Sequence, residues 1–168
     1  VNPFMGFDSG KPFIEACRKY GKGMFVMVKT SNPSSSEFQD IVTKEDDLAL
    51  YEILAHHVES WGADDIGASG YSFVGAVVGA TFPKQAERIR KLMPNSIFLV
   101  PGYGAQGAAI EDVKPCFNKD GLGALINNSR EIIFAYETNE AYDQKQFGEA
   151  AREAVLKMRE ELKAVAAN

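Results

Sequence analysis

Three short stretches of this 168-residue chain carry side chains suited to holding a small polar ligand. The first reads Pro101-Gly102-Tyr103-Gly104-Ala105-Gln106-Gly107. Glycines at 102, 104 and 107 let the backbone come close to a ligand and aim several N–H groups at one point. Gln106 adds a neutral side chain that both donates and accepts hydrogen bonds. A glycine-rich loop is by itself as often a tight turn as a phosphate cradle. This one has neither the Gly-Lys-Ser/Thr ending of a Walker loop nor the setting of a dinucleotide fingerprint. The second stretch is Asn127-Asn128-Ser129-Arg130, where the guanidinium can fork onto phosphate oxygens. Its plainer reading is a surface arginine paired with Glu131 or Glu137. Asn127-Asn128-Ser129 also spells a glycosylation sequon, with nothing else pointing to secretion. The third stretch is Lys29-Thr30-Ser31-Asn32-Pro33-Ser34-Ser35-Ser36. Its hydroxyls and amide suit the polar edge of a heterocycle, and suit equally a capped turn ahead of a helix.

These stretches need elements to bring them together. Phe13, Ile14, Cys17 and Tyr20 predict a helix over 11–20, stopped by Gly21 and Gly23. The apolar run 24–28 predicts a strand buried on both faces. Leu50, Ile53, Leu54 and Val58 predict a helix over 48–61, closed by Gly62. A further apolar run covers 73–81, and Pro83 marks the start of a helix that continues over 85–92. Short strands follow at 97–100 and 123–126. A long helix over 143–167 closes the chain, with Phe147, Ala151, Ala154, Val155, Met158 and Leu162 as its buried stripe. Buried strands alternating with amphipathic helices imply a parallel α/β sheet, doubly wound or closed as a (β/α)8 barrel. In both, ligands lie at the C-terminal ends of the strands, and all three stretches directly follow a strand. In barrels a phosphate site is frequently built from the last two strand–helix loops, which favours a phosphate between residues 101–107 and 127–130.

The totals fit a single soluble domain spanning residues 1–168, with 45% hydrophobic and 24% charged residues. A net charge of −5, from 18 basic and 23 acidic residues, argues against a nucleic-acid footprint. No apolar run approaches the ~20 residues of a membrane span, and the start lacks the features of a signal peptide. Cys17 and Cys116 have no metal-ligand spacing and read as reduced and structural, which suits a cytoplasmic protein. Adjacent His56 and His57 cannot face one metal from a helix, and they read as helix surface. Glu45-Asp46-Asp47 reads as an acidic lead-in to a helix, Asp64-Asp65 as a polar loop, and Trp61 as a core aromatic.

Taken together, several segments resemble the orotidine 5′-phosphate decarboxylase family, in its longer bacterial form. They are Val1-Asn2-Pro3-Phe4-Met5-Gly6, VKTSNPSSSEFQD from Val28 to Asp40, GAVVGATF from Gly75 to Phe82, FLVPGYGAQG from Phe98 to Gly107, and DGLGALINNSR from Asp120 to Arg130. They span nearly the whole chain in order. The resemblance implies a dimeric (β/α)8 barrel that converts orotidine 5′-monophosphate to uridine 5′-monophosphate without cofactor or metal. By motif match, Ser31 would bind the pyrimidine edge and Pro101 would line the base pocket. Gln106 would stand between base and phosphate, and Arg130 would hold the phosphate, helped by backbone N–H groups near Ser129.

The family's catalytic Asp-x-Lys-x-x-Asp array is absent from this sequence. Asp143-Gln144-Lys145 begins similarly, but Gly148 stands where the last Asp would be. A whole barrel takes ~250 residues. The chain is therefore expected to supply the last four strand–helix units, with Val1-Asn2 as the stub of the strand before. The catalytic Lys and Asp residues are expected on the N-terminal portion of the same enzyme. Two other readings stand beside this one: a non-catalytic nucleotide-phosphate module, and a sugar-phosphate aldolase or epimerase. An aldolase would need a strand-end lysine for a Schiff base, and Lys29 is the nearby candidate.

Overall fold

The computed structural model describes residues 1–104 and 106–166. Four strands form one parallel sheet in the order β1-β2-β3-β4: β1 Met24–Lys29, β2 Ser72–Val78, β3 Ser96–Val100 and β4 Ala124–Ile126. Spatial order equals chain order, because each strand is followed by a crossover that returns the chain to the same end of the sheet. Helix α1, Phe7–Tyr20, precedes β1. The single turn α2, Ser36–Gln39, and the longer α3, Leu50–Gly62, lead to β2. Helix α4, Pro83–Leu92, lies between β2 and β3, and a 3-10 segment, Glu111–Cys116, lies between β3 and β4. Two short helices, α5 Ser129–Ile133 and α6 Ala135–Thr138, then lead into α7, Phe147–Ala166.

One face of the sheet is the core. Val26, Val28, Val74, Ala76, Val78, Phe98 and Val100 are buried there against Ala55, Val58, Ala86 and Ile89 of α3 and α4. The other face is apolar too, but the described residues do not cover it. Phe25 is half-buried, while Met27 is 41% and Leu125 54% exposed. The expectation of a first strand buried on both faces is thus corrected: the apolar run is present, and only one side of it is packed. At the free edge of β1, Val1 takes a ladder position. Its amino group donates to the Phe25 carbonyl at 2.7 Å, and Met27 N–H donates to the Val1 carbonyl at 3.0 Å.

The pairing of β1 with β2 shifts between Met27 and Lys29, so that Met27 faces Val77 and Lys29 faces Val78. Two residues of β1 oppose one of β2, which breaks the alternation and buries Val28 and Lys29 in succession.

Other differences from the sequence reading are local. Helix α1 begins at Phe7, four residues before the predicted start, and accommodates Pro12. Its first half lies against Trp61, with the Phe7 and Trp61 ring centres 5.8 Å apart. In α7 the buried residues are Ala150 and Met158, while Phe147 is 61% and Val155 43% exposed. Phe147 is the first residue of α7, in line with the stripe, while Val155 lies at the edge of the stripe, beyond the strip that α5 and α6 cover. Asp143 caps a 3-10 turn, Gln144–Gln146, ahead of α7, and the predicted end at Ala167 lies outside the described residues. Cys17 and Cys116 are free and buried. His56, His57 and the acidic run 45–47 are exposed, with the run in a turn ahead of α3.

Arg90 ties the second half of the sheet together. Its guanidinium makes five hydrogen bonds to the carbonyls of Met93, Ser96, Cys116 and Gly123, at 2.8–3.1 Å, and lies 3.5 Å from the Phe98 ring centre. Burial lowers its pKa to about 10, so it remains a cation at neutral pH. Replacing it removes five hydrogen bonds from four buried carbonyls, of which Gly123 and Met93 keep a backbone donor. Arg90→Met is expected to cost roughly 3–5 kcal/mol, read as a lower urea midpoint.

Candidate functional site

The C-terminal ends of all four strands open on one rim. There, residues 31–33, Thr81, Phe82, Gln106 and Arg130 line a cleft of about 630 Å³. That is a usual size for a small-molecule site. Ser31 Oγ donates to Gln106 Oε1 at 2.6 Å, joining residues 75 positions apart in sequence. With Oε1 so engaged, Nε2 of Gln106 is left to donate elsewhere. Arg130 is exposed on the same cleft, and its guanidinium has no ion pair among the described residues. The plainer pairing with Glu131 or Glu137 does not occur.

Backbone geometry holds Ser31 in place. Its carbonyl accepts from Thr81 Oγ1 at 2.8 Å. Gly79 N–H donates to the Lys29 carbonyl at 2.8 Å, and Ala80 N–H to the Pro101 carbonyl at 2.9 Å. Ser31 fits only because Gly79 and Gly102 have no side chains. A Cβ on Gly79 would sit 2.7 Å from the Ser31 Cα, and one on Gly102 would sit 2.9 Å from the Ser31 Cβ. Gly102 also has φ +103°, a conformation that L side chains rarely adopt. Beyond it the glycine loop folds on itself, with Gly107 N–H donating to the Gly104 carbonyl at 2.7 Å and Ala108 N–H to the Gly102 carbonyl at 3.2 Å. Ala105 lies outside the described residues.

Three of the five residues singled out from the sequence, Ser31, Gln106 and Arg130, meet on the cleft. Pro101 is half-buried at the base of the loop. Ser129 is exposed beside Arg130, with its hydroxyl on Asn127 Oδ1 at 3.4 Å, and neither lines the cleft. Thr81 and Phe82 were not foreseen. The signal was available, since they follow β2 as Ser31 follows β1.

The polar run 30–36 resolves into both of its readings. Pro33–Ser35 form a 3-10 turn that enters α2, while Ser31 faces the cleft. Lys29 does not reach the cleft. It is fully buried on the helix side of the sheet, with Nζ donating to Asp40 Oδ1 at 2.8 Å.

A second cleft, of about 590 Å³, lies behind the glycine loop against α5 and α7. Glu111, Glu131 and Glu161 border it against one cation, Lys157, a net negative lining that disfavours an anion. The Tyr103 hydroxyl there donates to Glu161 at 2.9 Å, and burial together with that bond pushes its pKa up to about 12. Among the described residues no group of three or more His, Cys, Asp or Glu is arranged to hold a metal ion. No helix of the described residues is long and apolar enough to cross a membrane.

Residues 1–144 match the model of the orotidine 5′-phosphate decarboxylase / HUMPS family. The chain belongs to that family. It is 53% identical over 137 residues to the orotidine 5′-phosphate decarboxylase of Caldicellulosiruptor bescii, covering 82% of this chain and 44% of that protein. It is 43% identical over 166 residues to the enzyme of Rhodopirellula baltica, covering 97% of this chain and 54% of the relative. Its fold matches the solved OMP decarboxylase of Leishmania donovani with a TM-score of 0.73 at 31% identity, over 99% of this chain and 56% of that one. The chain therefore spans about half the length of the decarboxylases it matches. Its four parallel strands correspond to about half of the family's eight-stranded barrel.

The cleft depends on close packing of Ser31 over Gly79. Gly79→Ala is expected to push Ser31 outward, break the bond to Gln106, and cost about 1–3 kcal/mol as an overpacked site. A crystal structure and a thermal melt of the variant check both parts.

Proposed function

We propose that this chain is the C-terminal half of an orotidine 5′-monophosphate decarboxylase and supplies the pyrimidine and phosphate contacts of its substrate site. The observation that carries the reading is the 2.6 Å bond from Ser31 Oγ to Gln106 Oε1, on a cleft that also holds Arg130. Having donated to Gln106, the Ser31 hydroxyl keeps lone pairs for the ring N–H of a pyrimidine. Gln106 Nε2 is left to donate to a ring carbonyl or a phosphate oxygen between the two ends of the ligand. Arg130 supplies the charge for the phosphate, with Ser129 adjacent, and Pro101 backs the base.

In this reading the reaction breaks the bond between the pyrimidine ring and its carboxylate. The electron pair stays on the ring carbon as carbon dioxide leaves, and a proton then completes uridine 5′-monophosphate. The chain has no Asp-x-Lys-x-x-Asp array to drive these steps. We assign the array to the N-terminal half of a longer protein, whose strands would also cover the bare face of the sheet. No cofactor or metal enters, and the enzyme works as a cytoplasmic homodimer. The contacts made by this half are remote from the reacting carbon, and their binding energy orders the site and so raises the rate. The aldolase alternative is weakened by Lys29, whose amino group is engaged with Asp40 beneath the helices.

The test uses the full-length protein that contains this segment. Arg130→Ala is expected to lower kcat/KM for orotidine 5′-monophosphate by the equivalent of about 2–4 kcal/mol. An unchanged kcat/KM removes Arg130 from the site. A full-length wild type that binds uridine 5′-monophosphate without turning over the substrate leaves the nucleotide-binding module as the answer.

A further inference from the structure

Lys29 heads the large side chains that are fully buried, and it carries a charge. Strict alternation along β1 would send it to the bare face with Phe25 and Met27. The shift of register between Met27 and Lys29 sends it instead among the helices, where three groups receive it. Its Nζ donates to Asp40 Oδ1 at 2.8 Å and lies 4.4 Å from the Phe82 ring centre and 5.9 Å from that of Tyr51. Gln85 Nε2 donates to the same Asp40 oxygen at 3.1 Å. Burying an ammonium is costly, and an apolar side chain of like length fills the same space without that cost. Packing alone therefore does not account for a lysine here.

The pair closes the base of an excursion of the chain. Between Lys29 and Asp40 the backbone leaves the sheet, carries Ser31 to the cleft, turns through α2 and returns. A second pairing closes the same base: Thr30 N–H donates to Gln39 Oε1 at 3.0 Å, and Gln39 Nε2 donates to Thr30 Oγ1 at 2.9 Å. Phe82, whose ring the ammonium faces, is itself a wall of the cleft. The bulge, the ion pair and the ring contact thus meet at the residue two positions before Ser31.

We propose that Lys29 is a positioning residue: its ion pair with Asp40 and its contact with Phe82 hold the β1 bulge, and so set Ser31 at the distance from which it binds Gln106 and the ligand's base. This rests on the reading of the cleft as the decarboxylase substrate site. Lys29 acts through Ser31 and touches no substrate.

The experiment is a double-mutant cycle in the full-length protein. Lys29→Met is expected to lower kcat/KM for orotidine 5′-monophosphate by about ten- to a hundredfold, the scale of one or two lost hydrogen bonds. Ser31→Ala is expected to cost a similar factor. The double variant should be little worse than either single one, because both remove the same contact. Factors that multiply, or a Lys29→Met enzyme with wild-type kcat/KM, overturn the proposal. Lys29→Met leaves Asp40 without its cation and can fail to fold, so Lys29→Met/Asp40→Leu removes both charges together. In its crystal structure the Ser31–Gln106 bond should be broken while the sheet is kept. A retained bond overturns the proposal whatever the activity. That structure needs no turnover, so an inactive wild type rejects the decarboxylase reading and leaves the positioning role to be decided by the bond.

Discussion

A single guanidinium sets where half of this site stands. Strand β4 is only three residues long, so its own ladder with β3 gives it little hold. Arg90 supplies the rest by bonding the carbonyls at the end of α4, the start of β3, the 3-10 segment and the turn into β4. Each of those carbonyls sits at the edge of an element, and the Gly123 carbonyl also accepts from Phe98 N–H at 2.8 Å. One planar cation with five fixed donors satisfies them at once, and it holds the elements at one spacing. Arg130 follows β4 by four residues, so its place on the cleft inherits this constraint. The Phe98 ring against the guanidinium adds a further contact at a point where, among the described residues, no carboxylate forms an ion pair with it.

The two faces of the sheet divide the labour. On the helix face, small and branched side chains pack against α3 and α4 and make the chain's own core. On the other face Met27 and Leu125 remain open, although their chemistry is that of an interior. An uncovered apolar face joined to open strand edges is a surface that seeks a partner. Family membership gives this a natural meaning, since the corresponding strands in the solved relatives form about half of a closed barrel. The C-terminal ends of the four strands, by contrast, gather Ser31, Gln106 and Arg130 on one cleft within this half.

The order of the elements was legible because long apolar runs and helical periodicity are local signals. The convergence of Ser31, Gln106 and Arg130 was legible for a second reason: each directly follows a strand, and parallel sheets bring such positions to one rim. What escaped depends on contacts distant in sequence. Nothing near Lys29 announces a bulge, so a lysine at a strand end read as a candidate for the site when it is turned under the helices. Arg90 looks like any cation on a charged helix until Cys116 and Gly123 come within reach. The stripe of α7 is exposed at Phe147, its first residue, and at Val155, on its edge, because periodicity shows which residues can be buried, not how long or wide the covering surface is. Thr81 and Phe82 were missed for a weaker reason, since the apolar run of β2 continues past the point where the strand ends.

The link between Ser31 and Gln106 bears on how such a site could contribute to a rate. Each residue stands on a loop, and neither loop is held by a regular ladder at its tip. A ligand with a base at one end and a phosphate at the other would engage both loops together, and each contact would hold the other in register. Ordering two loops costs conformational entropy that a shorter ligand, engaging only one of them, could not recover. Part of that cost is already met by Gly79 and Gly102, which let Ser31 lie directly on the strand ends, and by Thr81, which fixes its carbonyl. The glycines, though remote from any chemistry, therefore lower the cost of holding Ser31 on the rim. They do so by contact geometry, through side chains that are not there.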